Sequence, residues 1–206
     1  MGVSESKCDF IAYLDDDDEW EPTKLEKQYN IIKNDSQIGL VSCFSEFHYK
    51  DKKYIVKKKE GRIYYRDLLK SAEVSETSSF LVRKEALIKA GCWTVMIRGM
   101  QEYDVALRIA RAGYQLVNIP EPLLIHYDVR PEGIGRNKGY IYWKISELFE
   151  FFNYHKRDLK KHLGTRGIIN RGVKMWSLIL IYLFIFIFKY DMNSAWKISN
   201  LFKGEK

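Results

Sequence analysis

Five apolar residues, Phe10-Ile11-Ala12-Tyr13-Leu14, stop abruptly at Asp15-Asp16-Asp17-Asp18-Glu19, the pattern of a buried strand ending in a carboxylate cluster. Pro22 suits the first turn of a helix, where its missing N–H leaves no bond unmade, and Leu25, Tyr29 and Ile32 recur at i, i+4 and i+7 on one face. Residues 39–49 are rich in β-branched and aromatic types and predict a strand, with Asp51-Lys52-Lys53 turning the chain into a second strand at 54–58. A short helix around 64–70, a strand near 78–83 and a helix from Lys84 to Ala90, stopped by Gly91, follow. Tyr103, Leu107 and Ala110 predict another helix over 103–112 with Gly113 as its stop. Strands at 114–118 and 123–127 flank a turn at Pro120-Glu121-Pro122, and after Gly139 the pattern is helical almost to the end. Alternating strands and helices predict an α/β sheet with a helical C-terminal extension. The polar, glycine-rich stretch Asp128 to Gly139 reads as a mobile lid.

Composition adds limits. A chain of 206 residues with 46% hydrophobic and 30% charged residues is globular and long enough for one well-formed core. Cys8, Cys43 and Cys92 are odd in number and lack CxxC spacing, so neither a disulfide framework nor a zinc site is expected; they read as small buried apolar residues in a reducing compartment. Residues 151–206 hold eleven Lys and Arg against three Asp and Glu, or +8, which leaves −1 on residues 1–150. The basicity belongs to the tail, and no nucleic-acid partner is expected for the body.

Six of the seven residues from Asp15 to Glu21 are acidic, a density of like charge that is costly unless water or a cation offsets it. Two readings follow. One is a solvated acidic turn whose Asp18 and Glu19 favour the next helix's N-terminus. The other is a site for Mg2+ or Mn2+, hard ions that prefer carboxylate oxygen and share their shell with a phosphate-bearing substrate. An EF-hand loop is excluded, because Trp20 stands where glycine is required and Pro22 falls inside the loop. A haloacid-dehalogenase-type phosphotransferase fits Asp15 and Asp17 but not Glu19, where Thr or Val is needed.

The run CDFIAYLDDDDEWEPTKLEKQ resembles the DxD region of family 2 glycosyltransferases, an apolar strand, LDxDDxW, a proline and a helix beginning near KLE. Some eighty residues on, SSFLVRKEALIKAGCW and GMQEYDVALRIARAGYQLVNIPEPL resemble that family's acceptor-side strand and helix and its ED-type block. The resemblance implies a partial GT-A fold, a Rossmann-like mixed sheet, over residues 1–139, with 140–206 as the helical extension. It also implies an inverting transfer of sugar from a nucleotide-diphosphate donor to a saccharide or lipid-linked acceptor, in cell-surface polysaccharide or glycoconjugate synthesis. Asp17 and Asp15 take the metal, with Asp17 the direct ligand, and Asp15 and Asp16 face the donor. Glu102 occupies the general base's position and Asp104 that of a second acid. The family more often has Asp at the base, and Glu reaches one methylene further. Independently of the family, Glu102 precedes a predicted helix whose dipole favours an ionised carboxylate, as a proton acceptor must be. His126 and Arg130 flank the polar loop and are expected to close on the pyrophosphate.

In that family some eighty or ninety residues precede the DxD strand and carry the contacts to base and ribose; here only Met1 to Asp9 do. The expectation is therefore a chain equivalent to the family's C-terminal half, with its nucleotide-binding half absent or supplied by a second chain. A non-catalytic fragment that binds metal or membrane and acts through a partner is the alternative. No signal peptide is visible, which predicts a cytoplasmic protein. The fourteen residues from Met175 to Phe188 reach only about 21 Å as a helix, so an in-plane anchor on the anionic inner face of the membrane is expected, with burial against protein as the alternative.

Overall fold

The computed structural model describes residues 2–49, 51–95, 97 and 100–127, together with 151, 153–157, 159–161, 164, 165 and 169. In chain order the elements are α1 (Gly2–Glu5), β1 (Phe10–Ala12), β2 (Asp18–Trp20), α2 (Lys24–Ile32), β3 (Ile38–Tyr49), β4 (Lys52–Val56), β5 (Gly61–Ile63) and α3 (Tyr65–Leu68). A 3-10 turn (Thr77–Ser79), β6 (Leu81–Arg83), α4 (Lys84–Lys89), α5 (Gln101–Arg111) and β7 (Gln115–Tyr127) complete them. The strands make one mixed sheet in the order β1-β6-β3-β7-β2, with β4 added to β3 and β5 to β7. The β3–β7 pair is parallel, and the other pairs are antiparallel. The α/β class predicted from the alternating blocks is the one observed.

The first eight residues of β3 are all buried, as expected where a central strand is covered on both faces. Val41 and Cys43 of β3 join Ile32 of α2, Leu81 of β6 and Val117, Ile119 and Leu124 of β7 in one apolar cluster. Gly39 admits a close approach between elements. A Cβ there would stand 2.7 Å from Cβ of Tyr114 and 2.8 Å from Cγ2 of Ile109, so glycine lets α5 lie directly on β3.

Several expectations are corrected. The buried stripe of α2 is Lys24, Gln28 and Ile32, while Leu25 and Tyr29 are exposed at 41% and 47%. The predicted strands at 114–118 and 123–127 are one strand, β7. Its pairing passes from Cys43↔Ile119 to Phe44↔Pro122, so Pro120 and Glu121 bulge out of register where a missing N–H costs no ladder bond. Gly61–Ile63 adds a short strand that was not expected. Cys43 is buried, but Cys8 is exposed and Cys92 only half-buried.

The chain divides into two compact units: Met1–Met96 with Gln101–Val129, and Ile97–Met100 with Arg130–Lys206. All the strands among the described residues lie in the first. In the second, Phe151, His155 and Leu159 are buried at i, i+4 and i+8 of a helical stretch. Arg130, the predicted lid and the apolar run to Phe188 lie outside the described residues. Among the described residues no helix is long and apolar enough to cross a membrane.

Candidate functional site

Two residues separate the acidic run from β1, which is a half-buried edge strand and not the buried strand expected over 10–14; Leu14 is 52% exposed. The amide of Asp15 donates to Oγ of Ser78 at 3.0 Å, and the amide of Asp18 donates to the Asp15 carbonyl at 3.2 Å, closing a tight turn. This turn divides the acids. Asp15, Asp16 and Asp17 are exposed to solvent. Asp18 instead enters β2 opposite His126 of β7, with its side chain only 1% exposed and its Oδ1 2.7 Å from Nδ1 of His126. Glu19 accepts a 2.9 Å hydrogen bond from the hydroxyl of Tyr127. Of the two readings of the run, the solvated turn leading to a helix fits only Asp15 to Asp17, because Asp18 and Glu19 belong to β2.

Partial desolvation at the otherwise exposed loop, and then the charges of Asp18 and Asp17, raise the Asp15 carboxyl from its ordinary value; Glu102 adds to this, and the Ser78 hydroxyl offsets part of it. Such an excess of negative charge fits a hard divalent cation. Asp15 and Asp17 supply the oxygen chemistry that Mg2+ or Mn2+ requires, although among the described residues no set of three acid, histidine or cysteine side chains converges.

Glu102 lies in the first turn of α5, half-buried, and its Oε1 accepts a 2.7 Å hydrogen bond from the hydroxyl of Thr77. Asp104, read as the second acid, has a structural task. It is 1% exposed, and its Oδ2 takes bonds from Nε and Nη2 of Arg108 at 3.0 and 2.7 Å. Arg108 in turn donates to the Ala90 carbonyl at 2.6 Å, which ties α5 to the end of α4. Helix α5 is therefore fixed where it presents Glu102.

Sequence patterning missed the side chains beneath the site. Lys24 is fully buried, with its ammonium 4.1 Å from the centre of the Trp20 ring and 3.0 Å from Oε1 of Gln28. The Trp20 indole donates to the Ser78 carbonyl at 2.7 Å, and Nε2 of Gln28 donates to the Ser79 carbonyl at 2.7 Å. Burial pushes Lys24 down to about 8 from its ordinary 10.5 and the neighbouring Cys43 thiol up to about 12. Because the unfolded chain holds the Lys24 proton up to 10.5, stability should rise with pH between about 8 and 10.5, by up to roughly 3 kcal/mol. Lys24→Met should flatten this slope relative to wild type in urea midpoints measured at pH 7.5 and 10; parallel profiles would show that the ammonium is not desolvated.

Of the predicted site residues, the structure brings Asp15 and Glu102 to the same turn, Thr77–Ser79, and leaves Asp16 and Asp17 exposed beside it. His126 is engaged with Asp18, and Arg130 lies outside the described residues. Thr77 and Ser78 were not singled out from sequence; their only signal is a pair of short hydroxyl side chains before an apolar strand.

Residues 1–91 match the model described as Glycosyl transferase family 2. An uncharacterized glycosyltransferase of Haemophilus influenzae is 26% identical over 135 residues, which cover 60% of this chain and 43% of that protein. The chain thus spans less than half the length of the curated relative it matches. Among solved structures, the mannosyltransferase PcManGT from Pyrobaculum calidifontis, in complex with GDP-Man and Mn2+, superposes with a TM-score of 0.53 at 17% identity, covering 98% of this chain and 57% of that one. S. aureus TarS 1-349, in complex with UDP-GlcNAc, gives 0.51 at 7% identity, covering 98% of this chain and 69% of that one. At these identities the likeness is one of fold.

Proposed function

We propose that this chain, a family 2 glycosyltransferase over residues 1–91, moves a sugar from a nucleotide-diphosphate donor to an acceptor hydroxyl with inversion at the anomeric carbon. The observation that carries the reading is the meeting of two acidic residues at one turn, Asp15 held through its backbone amide and Glu102 through its carboxylate. Asp15 stands at the head of an under-neutralised acidic loop, and Glu102 stands at a helix N-terminus. Two carboxylates placed in this way suit a reaction in which one, through a bound cation, offsets a leaving diphosphate and the other accepts a proton.

In the proposed step the acceptor oxygen attacks the anomeric carbon as Glu102 takes its proton. The bond from that carbon to the diphosphate oxygen breaks, and its electron pair leaves with the nucleoside diphosphate. Asp15 and Asp17 would hold Mg2+ or Mn2+, which supplies positive charge against the leaving group. Asp16 faces the donor from the same loop. His126, oriented by Asp18, and Arg130 are assigned to the pyrophosphate. Residues 1–139 form the catalytic part in this reading. Residues 140–206 form a helical extension whose basic, apolar tail meets the anionic inner face of the membrane, where a saccharide or lipid-linked acceptor for cell-surface polysaccharide would be presented.

The donors bound in PcManGT and TarS, GDP-Man and UDP-GlcNAc, name the probes. Calorimetric titration of the full chain with GDP and UDP should give binding that appears on adding Mn2+ and vanishes with a chelator. Metal-independent heats for both, with no sugar release from either donor, would sink the proposal.

A further inference from the structure

We propose that Thr77 is the positioning residue of the general base, and that the Thr77–Ser79 turn sets the spacing between that base and the cation-binding carboxylates; this rests on the catalytic reading of Glu102. The turn is fixed from below. Ser78 and Ser79 are both fully buried. The Ser79 carbonyl accepts from Gln28, its hydroxyl lies 2.7 Å from Oγ of Ser42 and donates to the Glu76 carbonyl at 2.7 Å, and the Ser78 carbonyl accepts from the Trp20 indole. Groups held by that many buried hydrogen bonds have nowhere else to satisfy them, so the turn is rigid.

From there the turn reaches both acidic residues, Asp15 through its backbone and Glu102 through its side chain. Ser78 takes the amide of Asp15, and the Thr77 hydroxyl donates to Oε1 of Glu102 at 2.7 Å. A glutamate is among the side chains with the most rotamer freedom, and it carries one torsion more than aspartate. A carboxylate at a helix start also has its own helix's free N–H groups as competing partners. The Thr77 hydroxyl selects one orientation from these, and among the described residues Oε2 of Glu102 makes no hydrogen bond and is left for the acceptor's proton. Thr77 acts on the reaction through Glu102, which makes it a positioning residue.

The test compares Thr77→Val, which keeps shape and loses the hydroxyl, with Thr77→Ser, which keeps the hydroxyl. In the full chain, assayed with the complementary nucleotide-binding half added as a second chain, Thr77→Val should lower kcat for sugar transfer by about 100-fold, leave Mn2+-dependent GDP or UDP affinity within about twofold, and be rescued by Thr77→Ser to within about threefold of wild type. A serine variant as poor as valine, or a valine variant that loses nucleotide affinity along with turnover, overturns the positioning role. Glu102→Gln separates the two ideas. Full transfer by that variant overturns the catalytic reading, whereas its loss alongside full transfer by Thr77→Val overturns only the role of Thr77. A urea-unfolding cycle of Thr77→Val and Glu102→Ala needs no turnover. The double variant should unfold at the midpoint of the less stable single variant, and strictly additive losses would show that the hydroxyl does not hold the carboxylate.

Discussion

Glu102→Gln is expected to lower sugar transfer by about 10²–10⁴-fold, the usual contribution of a positioned general base, while leaving Mn2+-dependent nucleotide binding unchanged. The amide keeps the length and an acceptor oxygen, so the bond from Thr77 persists and α5 keeps its seat through Asp104, Arg108 and the Ala90 carbonyl. What it removes is the capacity to take a proton. Thermal unfolding should therefore match wild type, and product formation from a labelled nucleotide sugar should fall steeply. Asp104→Asn should behave in the opposite way: it strips a buried arginine of its charged partner and should cost stability first. Turnover within a few-fold of wild type in Glu102→Gln would mean that another group, or water, takes the acceptor's proton.

The strength of the block pattern decided which elements were legible. The runs at 10–14 and 39–49 were readable because β1 and β3 are apolar enough to stand out from their flanks, and α5 because its period survives over eleven residues. Helix α2 was readable as a helix but not in its orientation. Its buried face is built from Lys24 and Gln28, polar side chains satisfied by an aromatic ring and by carbonyls from distant strands, which binary patterning assigns to solvent. The continuity of β7 was hidden by Pro120 and Pro122, which are compatible with a strand only through a register shift against β3. At the site, the two carboxylate groups were visible as residue types. Their meeting place was not, because Thr77 and Ser78 look like any polar turn until Trp20 and Gln28 are seen to bury their neighbours' backbone. Nor does an unbroken acidic run disclose that Asp18 belongs to His126, a partner 108 positions away.

That division of the acidic run makes the effect of Asp17→Ala specific. Asp17 is exposed, and its carboxylate stands in a loop already crowded by Asp15 and Asp18, so its removal should leave folding unchanged or slightly firmer. With Asp15 and the diphosphate offsetting part of the cation's charge, about one unit is left to Asp17, and a carboxylate within about 4 Å of it contributes about 1 kcal/mol at the dielectric of water and about 4 kcal/mol near a protein surface. At about 1.4 kcal/mol per decade, Asp17→Ala should weaken Mn2+-dependent binding of GDP or UDP by roughly tenfold to a thousandfold, and transfer should fall with it. Asp18→Ala gives the contrast. That carboxylate is 1% exposed and engaged with His126, so its loss should lower the urea midpoint and loosen β2 from β7 before any effect on nucleotide is resolved. Calorimetry and unfolding on the two variants side by side decide the matter. If Asp17→Ala binds the nucleotide with wild-type affinity in Mn2+ while Asp18→Ala does not, the cation belongs with the β2–β7 pair and not with the exposed loop.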